Sequence, residues 1–330
     1  MESIKDFWDT YEFDPSQSLD QKGFGSVYKG KDKRTDDVVV VKSTEMHPNF
    51  DDGWIWRKYD EAIALQHKNL LPYIAAYRFE GEGMVSNFGV MPYVERLSLN
   101  LLDPNDLTDE EKVDWINQVL DGLHYMHEQG HVWQKLSATH ILMEKSAEDY
   151  VLKFINYGNK QPIPLVFFSN YEYLAPEQFG DPTVLDKRTD IWSLGVLIYW
   201  LYTGQLPFGR KTTRHPNTKI EERILNRPIP DLIDLIPKPY KTIVQKCLKK
   251  NIAERWADCG QIIGAIEKQS IANSTKDTVA EQEIELSAKT IDNEPDRRYL
   301  RKPSKPIIWW QVLLLFGLAA AFGYWLSQKF

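Results

Sequence analysis

The sequence predicts an α+β fold, with a small β-rich lobe before a larger helical lobe and a single C-terminal membrane-spanning helix after both. Three observations predict it. Residues 37–42 (DVVVVK) are a β-branched run of strand length early in the chain. Residues 190–202 (DIWSLGVLIYWLY) are apolar nearly all round, as in a buried helix, and too few for a comfortable membrane span. Residues 307–326 (IIWWQVLLLFGLAAAFGYWL) carry no charge. At about 1.5 Å per residue they reach about 30 Å, the thickness of a bilayer's hydrocarbon core.

Composition agrees with a globular body. Of 330 residues, 42% are hydrophobic and 26% charged, enough for an ordinary core. A net charge of -7 argues against a nucleic-acid partner. The two cysteines, Cys247 and Cys259, are too few for a disulfide framework and fit a reducing compartment. The first residues hold no apolar signal segment, because Glu2, Asp6 and Asp9 interrupt them.

The elements follow in order. The run at 37–42 predicts a strand. Residues 60–67 have helical apolar spacing. Residues 110–127 form a long amphipathic helix with Val113, Ile116, Leu120, Leu123 and Met126 on one side. The apolar helix at 190–202 comes next. From about 271 the composition turns acidic, then basic (Arg297, Arg298, Arg301, Lys302, Lys305), with Pro303 and Pro306. This predicts a flexible linker. The expected divisions are 1–94 and 95–270 for the two lobes, 271–306 for the linker, 307–326 for the span and 327–330 for a short tail.

Several motifs in one order resemble the eukaryotic-type protein kinase superfamily over about 260 residues. Residues 19–30 (LDQKGFGSVYKG) resemble a Gly-rich loop, 39–42 (VVVK) the strand with the ATP-orienting lysine, and 122–142 the helix and catalytic loop. Residues 156–158 (NYG) stand where DFG would, and 175–177 are an intact APE. Residues 190–195 (DIWSLG), 203–208 (TGQLPF) and Arg255 complete the series. The resemblance implies a two-lobed kinase-like fold. It implies structural roles for Asp190, holding the catalytic-loop backbone, and for a buried Glu177–Arg255 ion pair.

It also exposes substitutions. Asp20 and Lys22 occupy two glycine positions, leaving Gly25, with Gly23 one place off. The segment reads either as an ordinary hairpin turn or as an altered loop over a ligand. Lys42 matches the ATP lysine. Its partner position falls on Lys58, or on Glu61 if the helix is shifted. Lys135 replaces the catalytic aspartate, His140 the metal-binding asparagine and Asn156 the magnesium-binding aspartate. A charged lysine cannot accept a proton, and an amide is a weak ligand for a hard dication. Trp133 and Tyr157 keep aromatic bulk, and Gln134 stands for arginine. Pro92 and Val94 keep the hinge that would bond adenine, so Gly23, Gly25, Val27, Lys42, Pro92 and Val94 are nucleotide-pocket candidates. Ser169, Tyr171 and Tyr173 lie in a short segment read as a solvated loop.

The expected function is therefore that of a membrane-tethered pseudokinase, a scaffold or allosteric regulator with no enzyme activity and no metal site. It would require no cofactor, with room for ATP held without magnesium. The alternatives are an atypical active serine/threonine kinase, using displaced groups such as Asp20, Glu61 or Glu144, and a metal-independent nucleotide sensor. Expected partners are proteins (an active kinase or its substrate), membrane lipid and a second copy through Gly317, Ala321, Ala319 and Gly323. The basic run before the span places the kinase-like body in the cytoplasm, with the short tail on the far side.

Overall fold

The computed structural model describes residues 4–271, apart from 23–24, 50–52, 82, 96, 148, 181–185 and 214–215. Gly23, the linker, the apolar stretch 307–326 and the tail lie outside the described residues. The described residues fall in one compact unit, Met1–Asn273.

This unit has two lobes. The N-terminal lobe is a five-stranded antiparallel sheet, in the order β1-β2-β3-β5-β4. The strands are β1 (Tyr11–Lys22), β2 (Gly25–Asp32), β3 (Val38–Met46), β4 (Ala75–Gly81) and β5 (Met84–Pro92). Residues alternate between the faces of a strand. In β3, Val39 and Val41 therefore join Phe7, Tyr11, Tyr77, Phe88 and Val90 on one face, under helix α1 (Ile4–Thr10). Val40 packs into the main core on the other. Lys42 has the parity of Val40, so the pleat turns its side chain toward the helical lobe.

Helix α2 (Gly53–Ile63) packs on the same side through Ile55, Tyr59 and Ala62. The helical spacing read at 60–67 is corrected: the helix starts earlier and stops at Ile63. After it, Gln66 donates its backbone N–H to the Tyr125 hydroxyl at 3.0 Å. The chain then bridges from Leu70 to Phe154. These long-range contacts, not local periodicity, set the boundary.

The C-terminal lobe is mainly helical. Helix α3 (Asp109–Glu128) opens with a capping box in which Thr108 and Glu111 satisfy each other's backbone N–H. Ile116, Leu120, Leu123 and Met126 are buried. At Gly122 an added Cβ would lie 2.2 Å from the Phe154 ring, so the helix touches strand β7 (Asp149–Phe154) closely there. That strand pairs with β6 (Ile141–Ser146). Helix α4 (Arg188–Thr203) is buried almost throughout, ends on Gly204 at φ 68°, and packs on α6 (Tyr240–Cys247). Helix α5 (Asn217–Asn226) and helical residues 259–271 complete the lobe. Cys247 and Cys259 are free and buried. Among the described residues no helix is long and apolar enough to cross a membrane.

Candidate active site

A cavity of about 430 Å³ opens between the sheet and the helical lobe. Val27, Val40, Pro92 and Val94 line its N-lobe side, with Gly25 at the edge. Lys42, from the same strand as Val40, also lines it, and Lys135, His140 and Asn156 line it from the helical lobe. Of the pocket candidates, only Gly23 falls outside the described residues. β1 and β2 pair as far as Lys22 with Gly25, so two residues join them. Both readings of that segment keep a place, since Asp20 and Gly25 line the cavity while the strands form a hairpin.

Buried polar anchors fix the loop carrying Lys135. The Asp190 carboxylate accepts from the backbone N–H groups of Trp133 and Gln134, both at 2.7 Å. It also meets His127 Nε2 at 3.0 Å. Such a carboxylate needs these partners, because its desolvation would otherwise be costly. The Trp133 ring stacks on Phe154, and its indole N–H donates to the Ile155 carbonyl at 3.1 Å. Tyr157 donates its hydroxyl to the Leu71 carbonyl at 2.6 Å. Arg255 makes two bonds of 2.7 Å to the Glu177 carboxylate, a forked pair with a buried guanidinium.

The charges are unusual. Lys42 donates to Asn156 Oδ1. Asn156 sits at φ 62°, a left-handed conformation that asparagine tolerates better than most residues. Lys58 is buried beside this pair, whereas Glu61 lies 4.0 Å from His131 and forms no pair with Lys42. The like-charged register is the one the structure adopts. Lys135 donates to the Phe167 carbonyl at 3.2 Å. Burial pulls Lys42 down to about 8, against the attraction of Asp20. Burial and then repulsion from Lys42 pull Lys135 down to about 7. Burial, with repulsion from Lys42 and Lys135, holds Lys58 well below the usual lysine range. A charged lysine cannot accept a proton, and burial together with repulsion from Lys42 favours the uncharged amine at Lys135.

His140 is also held neutral. Burial lowers it to about 3, and its Nδ1 lies 2.7 Å from the Lys135 carbonyl. Since a carbonyl only accepts, Nδ1 carries the proton. Of the displaced acidic groups, Glu144 pairs with Lys153 at 3.2 Å and, like Glu61, does not line the cavity. Only Asp20 does.

The magnesium that a kinase fold implies does not fit this donor set. Magnesium demands near-octahedral oxygen coordination, usually from carboxylates, phosphates and water. Here Asn156 Oδ1 is engaged by Lys42, His140 offers a nitrogen, and two amines project where cations would repel. Among the described residues no group of three or more His, Cys, Asp or Glu side chains is placed to hold a metal.

The segment between Gly158 and Ala175 is solvated only in part: Ser169 is exposed and Tyr171 half-buried, but Tyr173 is buried. Phe167, Phe168 and Ser169 line the cavity. Gln134 clasps the segment, donating to the Gln161 carbonyl at 2.8 Å and accepting from the Ile163 N–H at 3.0 Å. Asn170 donates to Ser137 Oγ at 2.9 Å and to Thr139 Oγ1 at 2.7 Å. Nothing local in the sequence signals either contact, since each joins residues about thirty apart.

A two-lobed domain with a cleft between sheet and helices is the architecture of a phosphoryl-transfer enzyme of the kinase class. Comparison with known proteins agrees: residues 14–267 match the Protein kinase domain family. The chain belongs to that family. It is 28% identical over 248 residues to "Serine/threonine-protein kinase PknL" of Mycobacterium tuberculosis, covering 72% of this chain and 60% of that protein. It is 25% identical over 265 residues to "Probable serine/threonine-protein kinase PknB" of Lactococcus lactis, covering 75% of this chain and 40% of that one. "Mitogen-activated protein kinase kinase kinase 17" of Arabidopsis thaliana is 24% identical over 258 residues, with 74% and 66% covered. The chain thus spans less than two thirds of each of the two bacterial relatives.

These findings overturn the expectation that the chain is no enzyme. The family match and the serine/threonine kinase relatives point to an active protein kinase.

Proposed function

We propose that this chain is an atypical serine/threonine protein kinase that transfers phosphate from ATP to a protein partner beside a membrane. One observation carries the reading: Lys42 from the sheet and Lys135 from the loop face a single cavity, with the hinge residues Pro92 and Val94 also lining it. The hinge backbone receives adenine. Lys42 takes the phosphates. The substrate hydroxyl oxygen attacks the γ-phosphorus, the bond to the β–γ bridging oxygen breaks, and ADP leaves. The hydroxyl proton passes to the Lys135 amine. That amine can be a base because burial brings it to about 7, close to working pH. The proton also makes it a cation beside the transferring phosphoryl group, where positive charge is most useful.

The relatives' names support serine or threonine as acceptor. The uncharged stretch 307–326 supports a membrane span, and the basic residues before it support a cytoplasmic kinase domain. The test is the full chain incubated with γ-labelled ATP and casein, scoring label on casein and on the chain itself. Label on serine or threonine is expected, falling about a hundredfold in Lys135→Met, the order of a lost general base. Transfer no greater than that of the variant contradicts the reading.

A further inference from the structure

The kinase reading leaves a problem of charge. A nucleoside triphosphate carries several negative charges, and the cavity's donor set does not suit the dication that usually offsets them. The cavity supplies positive charge of its own. Lys42 and Lys135 line it; Lys58, 6% exposed, does not line it but feels the repulsion of both. Among the described residues Asp20 is the one carboxylate lining the cavity. Among the described residues Lys58 forms no ion pair; the aromatic ring of Tyr59 lies 5.7 Å from its amine.

Three amines gathered without matching carboxylates repel one another and lose solvation. The apo protein meets this cost by lowering their affinity for protons, as burial and repulsion do at Lys58 and Lys135. An entering polyanion reverses the balance, because each amine then gains a charge partner in a medium of low dielectric. An uncharged ligand, or a phosphate already neutralised by a metal, gains much less.

We propose that this cavity binds the polyphosphate of a nucleoside triphosphate without a divalent cation, with Lys42 and Lys58 in the metal's place and Lys135 adding its charge when it takes the substrate's proton. The proposal rests on the kinase reading for the nucleotide but makes a separate claim about how its charge is met. Lys58 acts through the field it adds at Lys42 and is a positioning residue. The substitution that looks most damaging to a kinase site, a lysine facing the ATP lysine, becomes the group that replaces an ion.

The test is calorimetric titration of the full chain in mild detergent with adenosine, ADP, ATP and inorganic tripolyphosphate, in EDTA and again in magnesium. In EDTA, affinity should rise from adenosine through ADP to ATP, with tripolyphosphate weaker than ATP because it lacks the base. Magnesium should change the ATP affinity by less than about threefold. Lys58→Met should weaken ATP about tenfold, equivalent to about 1.4 kcal/mol, and leave adenosine within about twofold. Met matches the buried stem, and Lys42→Met provides a second variant should the first fold poorly. ATP affinity that rises tenfold or more with magnesium overturns the proposal, as does a series flat from adenosine to ATP. Equal losses for adenosine and ATP in both variants, the mark of a structural role, also overturn it. Phosphate transfer that requires magnesium removes this inference and leaves the kinase reading standing. Metal-free binding without transfer does the reverse.

Discussion

Lys135 makes the site's chemistry measurable through stability. Its amine donates to the Phe167 carbonyl under the cavity roof, with Lys42, Lys58, Asp20 and neutral His140 as its ionisable surroundings. In the unfolded chain it titrates near 10.5; in the folded protein it titrates near 7. Between those values the unfolded state binds more protons, so stability rises with pH. Lys42, lowered to about 8, and Lys58 act in the same direction. The melting temperature of the nucleotide-free chain should therefore climb from pH 7 to about 9. Lys135→Met should raise it by about 2–4 °C at pH 7 and flatten the climb. A slope unchanged by that variant would contradict the depressed amine. ATP shifts the amine's titration upward, so the transfer rate should rise with pH at or somewhat above neutrality.

At the scale of elements, the segment from Gly158 to Ala175 is held by side chains from the loop it covers. Gln134 takes both a carbonyl and an N–H of the segment, and Asn170 pins its far part to Ser137 and Thr139. The contacts are neutral and already made, so segment order needs no added phosphate. Limited trypsin digestion should cut after Lys160 faster in Gln134→Ala than in the unaltered chain, while cleavage elsewhere stays the same; equal rates would count against the clasp. Local pattern showed part of this architecture. The valine run marked β3, and the all-round apolar stretch marked α4, because strand pleat and complete burial write themselves into neighbouring residues. The end of α2 at Ile63 was not legible, because the chain after it is held by contacts with Tyr125 and Phe154. Residue identities at Lys135, His140 and Asn156 were legible, but their consequence was not. A sequence shows a lysine, whereas the burial and the repulsion from Lys42 that lower its proton affinity come from residues far along the chain.

At the scale of the whole molecule, a kinase domain at residues 14–267 precedes an uncharged stretch long enough to span a bilayer. The proposed tether would confine encounters to partners at the same membrane face, so that modest affinity for a substrate would suffice. The full chain should sediment with membranes and resist alkaline carbonate extraction. Replacing Leu314 and Leu315 by Arg should release it, since each charge near a span's centre costs about 2.5–3.5 kcal/mol. Recovery of the unaltered chain in the soluble fraction would remove the tether from the account. The most direct test of the central claim is the rate of γ-phosphate transfer by the full chain at saturating ATP, measured across neutral pH beside Lys135→Met. The account predicts transfer to serine or threonine that rises with pH as the Lys135 amine loses its proton, and is lost in the variant. Transfer absent at every pH, or identical in the two proteins, would contradict it.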